Sequence, residues 1–410
     1  MESSYKFLFD LALILLSTKV LGLITRRFKM PQVVGALLAG LIFGPAVFNI
    51  ITETEYIKMT AEIGVIVLMF SAGMETDVRE LKRSGKAALI IATLGVIVPL
   101  AGGFAVAWFF NREGMITPDG SLSVSPLLQN IFIGVILTAT SVSITVETLK
   151  ELGKLRTRSG SAILGAAVID DILGIIALTI ITSMADSSVN IWVVLLKIVG
   201  FFAFAILAGY LFYKFFTSWT NDKFDMQRHV IISFVFCLLL SFVAEHFFGV
   251  ADITGAYIAG LIISMTAKER YIEARFNTLS YLYLSPMFFA SIGLNVKLDN
   301  MSGMVILFAV ILTIVAILSK IIGCGLGAKL CKYENYQAVR IGVGMVSRGE
   351  VALIVANKGK ELGMMSDTLM GPIVIVVIIT TIVAPILLKP IYKKDPKDPA
   401  LLAAEDITED

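Results

Sequence analysis

Apolar residues follow one another along this chain in long runs, and polar residues gather in short joints between them. The three- and four-residue alternation of a helix lying half in water is largely missing. Thirteen runs can be delimited, at approximately 5–24, 32–50, 59–75, 87–110, 127–149, 159–184, 190–213, 229–248, 251–267, 277–296, 303–328, 337–358 and 367–388. An α-helix needs about 20 such residues to cross a bilayer, rising about 1.5 Å with each. Because a bilayer offers no water to unpaired backbone groups, these runs must fold as helices. The pattern predicts an all-α integral membrane protein of about 13 transmembrane helices. It forms one polytopic domain over 1–388, followed by a short tail over 389–410.

Composition agrees. The chain has 410 residues, 57% hydrophobic and 16% charged, with a mean hydropathy of +0.86. A soluble domain carries about 25% charged residues. The start, Met1 to Ser4, lacks the basic residues of a signal peptide. No attached soluble regulatory domain is expected after residue 388. Cys237, Cys324 and Cys331 are odd in number and lie in or beside the runs, which argues against a disulfide framework. The net charge of +2 follows the membrane and gives no reason to expect nucleic acid as a partner. Lipid is the expected surrounding.

The basic residues orient the chain. Joints on one side, from Arg26 and Arg27 through to Lys397, hold 24 of the 34 lysines and arginines. The other side holds Lys6, Lys58, Arg112, Lys297, Lys358 and Lys360. The positive-inside rule then places the N-terminus outside and the C-terminus in the cytoplasm of a cell-membrane protein, which requires an odd number of crossings. Lys19, Lys197, Lys320 and Arg348 remain within runs. Lys19 and Lys197 lie within snorkelling reach of an interface.

An internal repeat is visible. Gly35 to Ile42 and Gly255 to Ile262 match at six of eight positions at an offset of 220, and the same offset aligns Ser71 and Gly73 with Ser291 and Gly293. The matched runs are seven apart, and an odd separation means that the halves cross the membrane in opposite directions, an inverted-topology repeat. The repeat pairs the fifth run, with hydroxyls from Thr138 to Thr145, with the twelfth, with glycines and charges from Gly342 to Glu350. Both are predicted to unwind and cross at corresponding positions, near 140–143 and 346–348. Backbone that unwinds in a membrane must line a cavity, since its carbonyls and amides need partners.

The chemistry centres on Asp170 and Asp171, adjacent within the otherwise small and apolar run from Ser159 to Ile181. Asp170 lies roughly 16 Å along the helix from Ser159. A charge at that depth costs about 3 kcal/mol on insertion scales, so the pair must face a wet cavity, bind a cation or trade protons. Carbonyls of the unwound stretches, the hydroxyls of Thr140 and Ser141 and a nearby carboxylate form an all-oxygen set suited to a small hard cation. Lys320 needs an anion, which either aspartate can supply, or it snorkels to the cytoplasm. Arg348 and Glu350, with Ser347 beside them in the second unwound stretch, either brace the structure or shape a cytoplasmic funnel. His229 and His246 sit at run ends, which leaves carboxylates as the proton carriers.

The residues Ala139 to Ser143, Val168 to Gly174, Lys320 and Ser347 to Glu350 resemble the monovalent cation/proton antiporters, most closely the sodium/proton antiporters of the NapA and GerN type. The likeness spans about residues 5–388. It implies a NhaA/NapA-like fold, a homodimer and elevator-type alternating access. The core would comprise the runs near 87–184 and 303–388, the dimerisation part those near 5–75 and 229–296, and the linker 190–213. It further implies Asp171 as the carrier of the cation and proton, Asp170 as the partner of Lys320, and Thr140 and Ser141 as hydroxyl ligands. Electrogenic exchange of Na⁺, or Li⁺, for H⁺ without any resident cofactor follows from the same likeness, with K⁺/H⁺ exchange as the alternative. A cation channel would not need paired breaks, and an intramembrane aspartyl protease needs its aspartates on different helices.

Overall fold

The computed structural model describes residues 5–28, 30–76, 78–112, 115–116, 124–185, 191–219, 226–295 and 302–393. The tail expected over 389–410 falls outside them beyond Lys393. Among the described residues the regular structure is helical, without strands. In order the helices are α1 (Lys6–Arg27), α2 (Gln32–Phe43), α3 (Glu55–Glu75), α4 (Val78–Phe110), α5 (Pro126–Ile136) and α6 (Val142–Glu151). Then come α7 (Arg158–Ala185), α8 (Ile191–Trp219), α9 (Met226–Phe248), α10 (Asp252–Ser264) and α11 (Glu269–Leu279). A π turn over Ser280–Leu284 leads into α12 (Ser285–Leu294). The last are α13 (Gly303–Leu330), α14 (Asn335–Gly344), α15 (Glu350–Glu361) and α16 (Met370–Lys393).

Where these helices start is written in their first turns. Thr54, Ser125 and Ser302 each accept a hydrogen bond from the N–H three residues on, and α5 adds Pro126 at its first position. Gln337 returns its side chain to the Glu334 N–H at the head of α14, 3.3 Å away. Hydroxyls inside the helices bond back to carbonyls of the preceding turn. Thr18, Thr148, Thr313 and Thr380 do so at 2.7 Å. An apolar surrounding offers them no water, so the helix itself satisfies them.

Eight helices are long and apolar enough to cross a membrane: α1, α3, α4, α7, α8, α9, α13 and α16, some of them trimmed at their polar ends. Thirteen crossings were expected. The difference has three sources. The fifth run is divided between α5 and α6, and the twelfth between α14 and α15; α2 and α10 are only 12 and 13 residues long; the tenth run is interrupted by the π turn. The two divisions fall over 137–141 and 345–349. The first lies slightly ahead of the predicted 140–143, because the helix resumes directly at Val142.

The chain forms two compact units. One contains residues 1–28, 32–78 and 182–298, the other 29–31, 79–181 and 299–410. In the first, α3 lies on α10, and α2 lies between α1 and α12. Glycine makes these approaches possible. A Cβ on Gly73 would stand 2.9 Å from the Gly260 Cα, and one on Gly260 equally close to the Gly73 Cα. On the other helix pair, a Cβ on Gly293 would stand 2.7 Å from the Gly40 carbonyl carbon. In the second unit α13 lies against α14 and α16. Phe132, Ile136, Phe308, Leu312 and Val376 fill the space around α5.

These contacts set a test. Gly73→Val and Gly260→Val should each lose about 1–3 kcal/mol through overpacking against facing backbone. Gly325→Ala adds a methyl only 3.6 Å from its nearest neighbour, an ordinary contact, and should leave stability unchanged or raise it. Melting curves of the purified variants check both, and equal midpoints for all three would contradict the packing.

Candidate functional site

The second unit brings three of the sequence-predicted residues, Asp170, Lys320 and Thr140, into direct contact. α7 runs without interruption through Asp170 and Asp171. Asp170 is buried, and so is Lys320 on α13. The Lys320 ammonium donates to both carboxylate oxygens of Asp170, at 2.9 and 3.1 Å. The Thr140 hydroxyl, at the first helix break, donates to Asp170 Oδ2 at 2.7 Å. Three charge-assisted hydrogen bonds therefore converge on one carboxylate. Bonds to ionised groups are roughly twice as strong as neutral ones. Lys320 turns inward rather than snorkelling. Thr140, expected beside Asp171, is occupied with Asp170.

Asp171 is the next residue along, turned by roughly 100° around the helix. It is partly exposed where Asp170 is covered. Adjacent positions on one helix thus place two carboxylates in different surroundings, one in a closed ion pair and one partly exposed.

The two breaks are tied to each other. The Ser141 N–H donates to the Ser347 carbonyl at 2.8 Å, and the Ser347 hydroxyl returns a bond to the Ser141 carbonyl at 2.8 Å. The Thr145 hydroxyl donates to the Gly344 carbonyl at 2.7 Å and lies 2.9 Å from the Ser347 hydroxyl. The Ser141 hydroxyl lies 3.2 Å from that of Ser143. Each half-helix end leaves backbone groups unpaired, and in an apolar medium the other break supplies their partners.

Arg348 completes this arrangement. Its buried guanidinium donates to the carbonyls of Leu137 at 2.6 Å, Val346 at 2.9 Å and Ala316 at 3.3 Å. Leu137 and Val346 follow the C-terminal ends of α5 and α14, where the helix dipole concentrates negative charge. A fixed cation is therefore stabilised at two converging helix ends. The Thr381 hydroxyl on α16 donates to the Arg348 carbonyl. The sequence left Arg348 between a brace and a funnel, and its contacts are those of a brace. Glu350 opens α15, but its side chain lies outside the described residues.

Thr145 and Thr381 escaped the sequence reading. Thr145 was part of the hydroxyl run but carried no feature that separated it from its neighbours. Thr381 sits in an apolar helix, where a threonine ordinarily bonds back to its own turn. As a whole the site offers carboxylate, hydroxyl and carbonyl oxygens, the donors that hard cations take.

Residues 12–394 match the family described as sodium/hydrogen exchanger, transmembrane. The chain is 39% identical over 402 residues to the Na(+)/H(+)-K(+) antiporter GerN of Bacillus cereus, covering 98% of this chain and 100% of that protein. It is 36% identical over 393 residues to the Na(+)/H(+) antiporter of Enterococcus hirae, covering 95% of this chain and 99% of that one. Its fold resembles that of the sodium proton antiporter MjNhaP1 from Methanocaldococcus jannaschii, with a TM-score of 0.73 at 19% identity, covering 96% of this chain and 99% of the other. On this combined footing, the chain belongs to the transmembrane sodium/hydrogen exchanger family.

Proposed function

We propose that this protein is a multi-pass secondary active transporter, not an enzyme, that exchanges Na⁺ for H⁺ across the cell membrane. The observation that carries the reading is the closed Asp170–Lys320 pair beside the partly exposed Asp171, with two tied helix breaks around them. Asp171 carries the cation and the proton in turn. Ionised, it attracts a partly dehydrated sodium ion; protonated, it does not. Thr140, Ser141 and break carbonyls supply further oxygens, and Ser347 and Arg348 hold the break in which they lie. Exchange is obligatory when the empty, charged site does not cross, and it is electrogenic when more than one proton moves per cation. The transported ions serve as substrates, and no resident cofactor takes part.

The architecture we assign is an inverted repeat of thirteen crossings. The divided pairs α5/α6 and α14/α15, the short α2 and α10, and the composite α11–α12 complete the eight long helices. Support comes from the glycines at offset 220, since Gly40 meets Gly293 while its counterpart Gly260 meets Gly73, the counterpart of Gly293. The unit containing α4–α7 and α13–α16 acts as the transport core, and the unit containing α1–α3 and α9–α12 as the dimerisation part of a homodimer, with α8 as linker. Elevator-type alternating access is the mode of movement we assign to the core. The N-terminus lies outside and the C-terminus in the cytoplasm. K⁺ as a coupled ion is the second reading, favoured by the name of the Bacillus relative.

Proteoliposomes carrying a pH-sensitive dye, challenged with Na⁺, Li⁺ and K⁺ in turn, test the activity and rank the ions. Asp171→Asn should abolish cation-dependent proton movement while the protein stays folded. Near-normal exchange by that variant would sink the assignment of the carrier. Lys320→Gln should strand the Asp170 carboxylate and lower stability by about 3–5 kcal/mol. Asp170→Asn combined with Lys320→Gln should recover part of that loss. Strict additivity across the melting curves of the wild type, Asp170→Asn, Lys320→Gln and the double variant would show that the two side chains do not stabilise one another.

A further inference from the structure

α4 passes the buried ion pair at Gly95. A Cβ there would stand 3.7 Å from Lys320 Nζ and 3.8 Å from Asp170 Oδ1, both ordinary contact distances, yet only 2.6 Å from Cys324 Sγ. Cys324 lies one turn beyond Lys320 on α13, on the same face, and is fully buried. Its sulfur therefore occupies the space beside the pair that a side chain on α4 would otherwise take. A thiol is a weak hydrogen-bonding group, so it walls the pair without competing for either partner. Pro99, four residues after Gly95, lacks the N–H that would close onto the Gly95 carbonyl. α4 is thus missing one rung at the level of the pair, and packing must hold it there. The charged groups near the thiol are Lys320 on α13, Asp170 on α7 and Arg348 in the second break.

We propose that Gly95 and Cys324 are positioning residues for ion exchange. The glycine lets α4 close on the Asp170–Lys320 pair, and the thiol seals the slot that remains. Lys320 and Asp170 then meet without intervening water, in a setting of low dielectric where their attraction is strong. How readily the pair parts when protons are exchanged depends on that seal. The transport consequence rests on the antiporter reading; the packing does not.

The test compares the full-length wild type with Gly95→Ala, Cys324→Ala, their double variant and Cys324→Ser, in proteoliposomes and in melting curves. Gly95→Ala should slow exchange about tenfold, equivalent to about 1.4 kcal/mol, because the thiol is driven out of its place. Adding Cys324→Ala frees that space for the new methyl and should bring the rate back to within about threefold of wild type. Cys324→Ser keeps the shape but sets a hydroxyl beside the pair. It should move the pH of half-maximal exchange by at least about half a unit, with little change in melting midpoint.

Wild-type rate and pH profile in Gly95→Ala, a double variant no better than Gly95→Ala, or an unmoved profile in Cys324→Ser would each overturn the proposal. Should Gly95→Ala prove too unstable to assay, the double variant alone decides by its recovery. Melting curves also separate the two readings. A wild type that moves no protons in response to any of the cations refutes antiport, whereas additive effects of Gly95→Ala and Cys324→Ala on melting refute the seal.

Discussion

A peptide carbonyl or amide within a bilayer must find a partner in the protein, and this constraint governs how the chain can build an ion site at all. Continuous helices meet it and offer nothing to an ion. Interrupted helices expose oxygen but strand their own ends. Here each interruption meets the needs of the other: the Ser141 N–H takes the Ser347 carbonyl, and the Ser347 hydroxyl takes the Ser141 carbonyl. Arg348 takes the carbonyls of Leu137 and Val346, just past the ends of α5 and α14. Neither break would be tolerable alone, which is why they occur as a pair.

The same medium explains why the two aspartates differ. Burying a carboxylate and an ammonium is tolerable only when they meet in good geometry with further hydrogen bonds, and Asp170 has that from Lys320 and Thr140. Asp171 sits on another side of α7 and keeps some access. A single helix thereby holds one carboxylate fixed and presents the next one. The difference in surroundings comes from the 100° step of the helix and needs no difference in residue type.

Much of this was legible in the sequence. Long apolar runs announced helices, because burial in lipid leaves no alternative. The need of Lys320 for an anion followed from its depth, and its choice of Asp170 over Asp171 was left to the resemblance. The offset of 220 located Gly40, Gly73, Gly260 and Gly293, each at a close helix approach. What stayed hidden depended on where long or rotatable side chains reach. Nothing in the spacing of Arg348 says that its guanidinium bonds to Leu137 rather than to a carboxylate. Thr140 could equally have served either aspartate, since both lie within a residue of the same helix turn. The exact start of the first break depended on where α6 could resume, which the run of hydroxyls around it blurs.

The tying of the two breaks also bears on how a site made partly of loop can choose among ions. A cavity discriminates by size only if its walls hold still more finely than the radii of the competing ions differ. Unwound backbone is ordinarily the softest part of a fold. Here it is cross-braced by Ser141, Thr145, Ser347 and Arg348, so that neither segment can shift without dragging the other. Stiffness of that kind is what a cavity that discriminates by size requires of its walls.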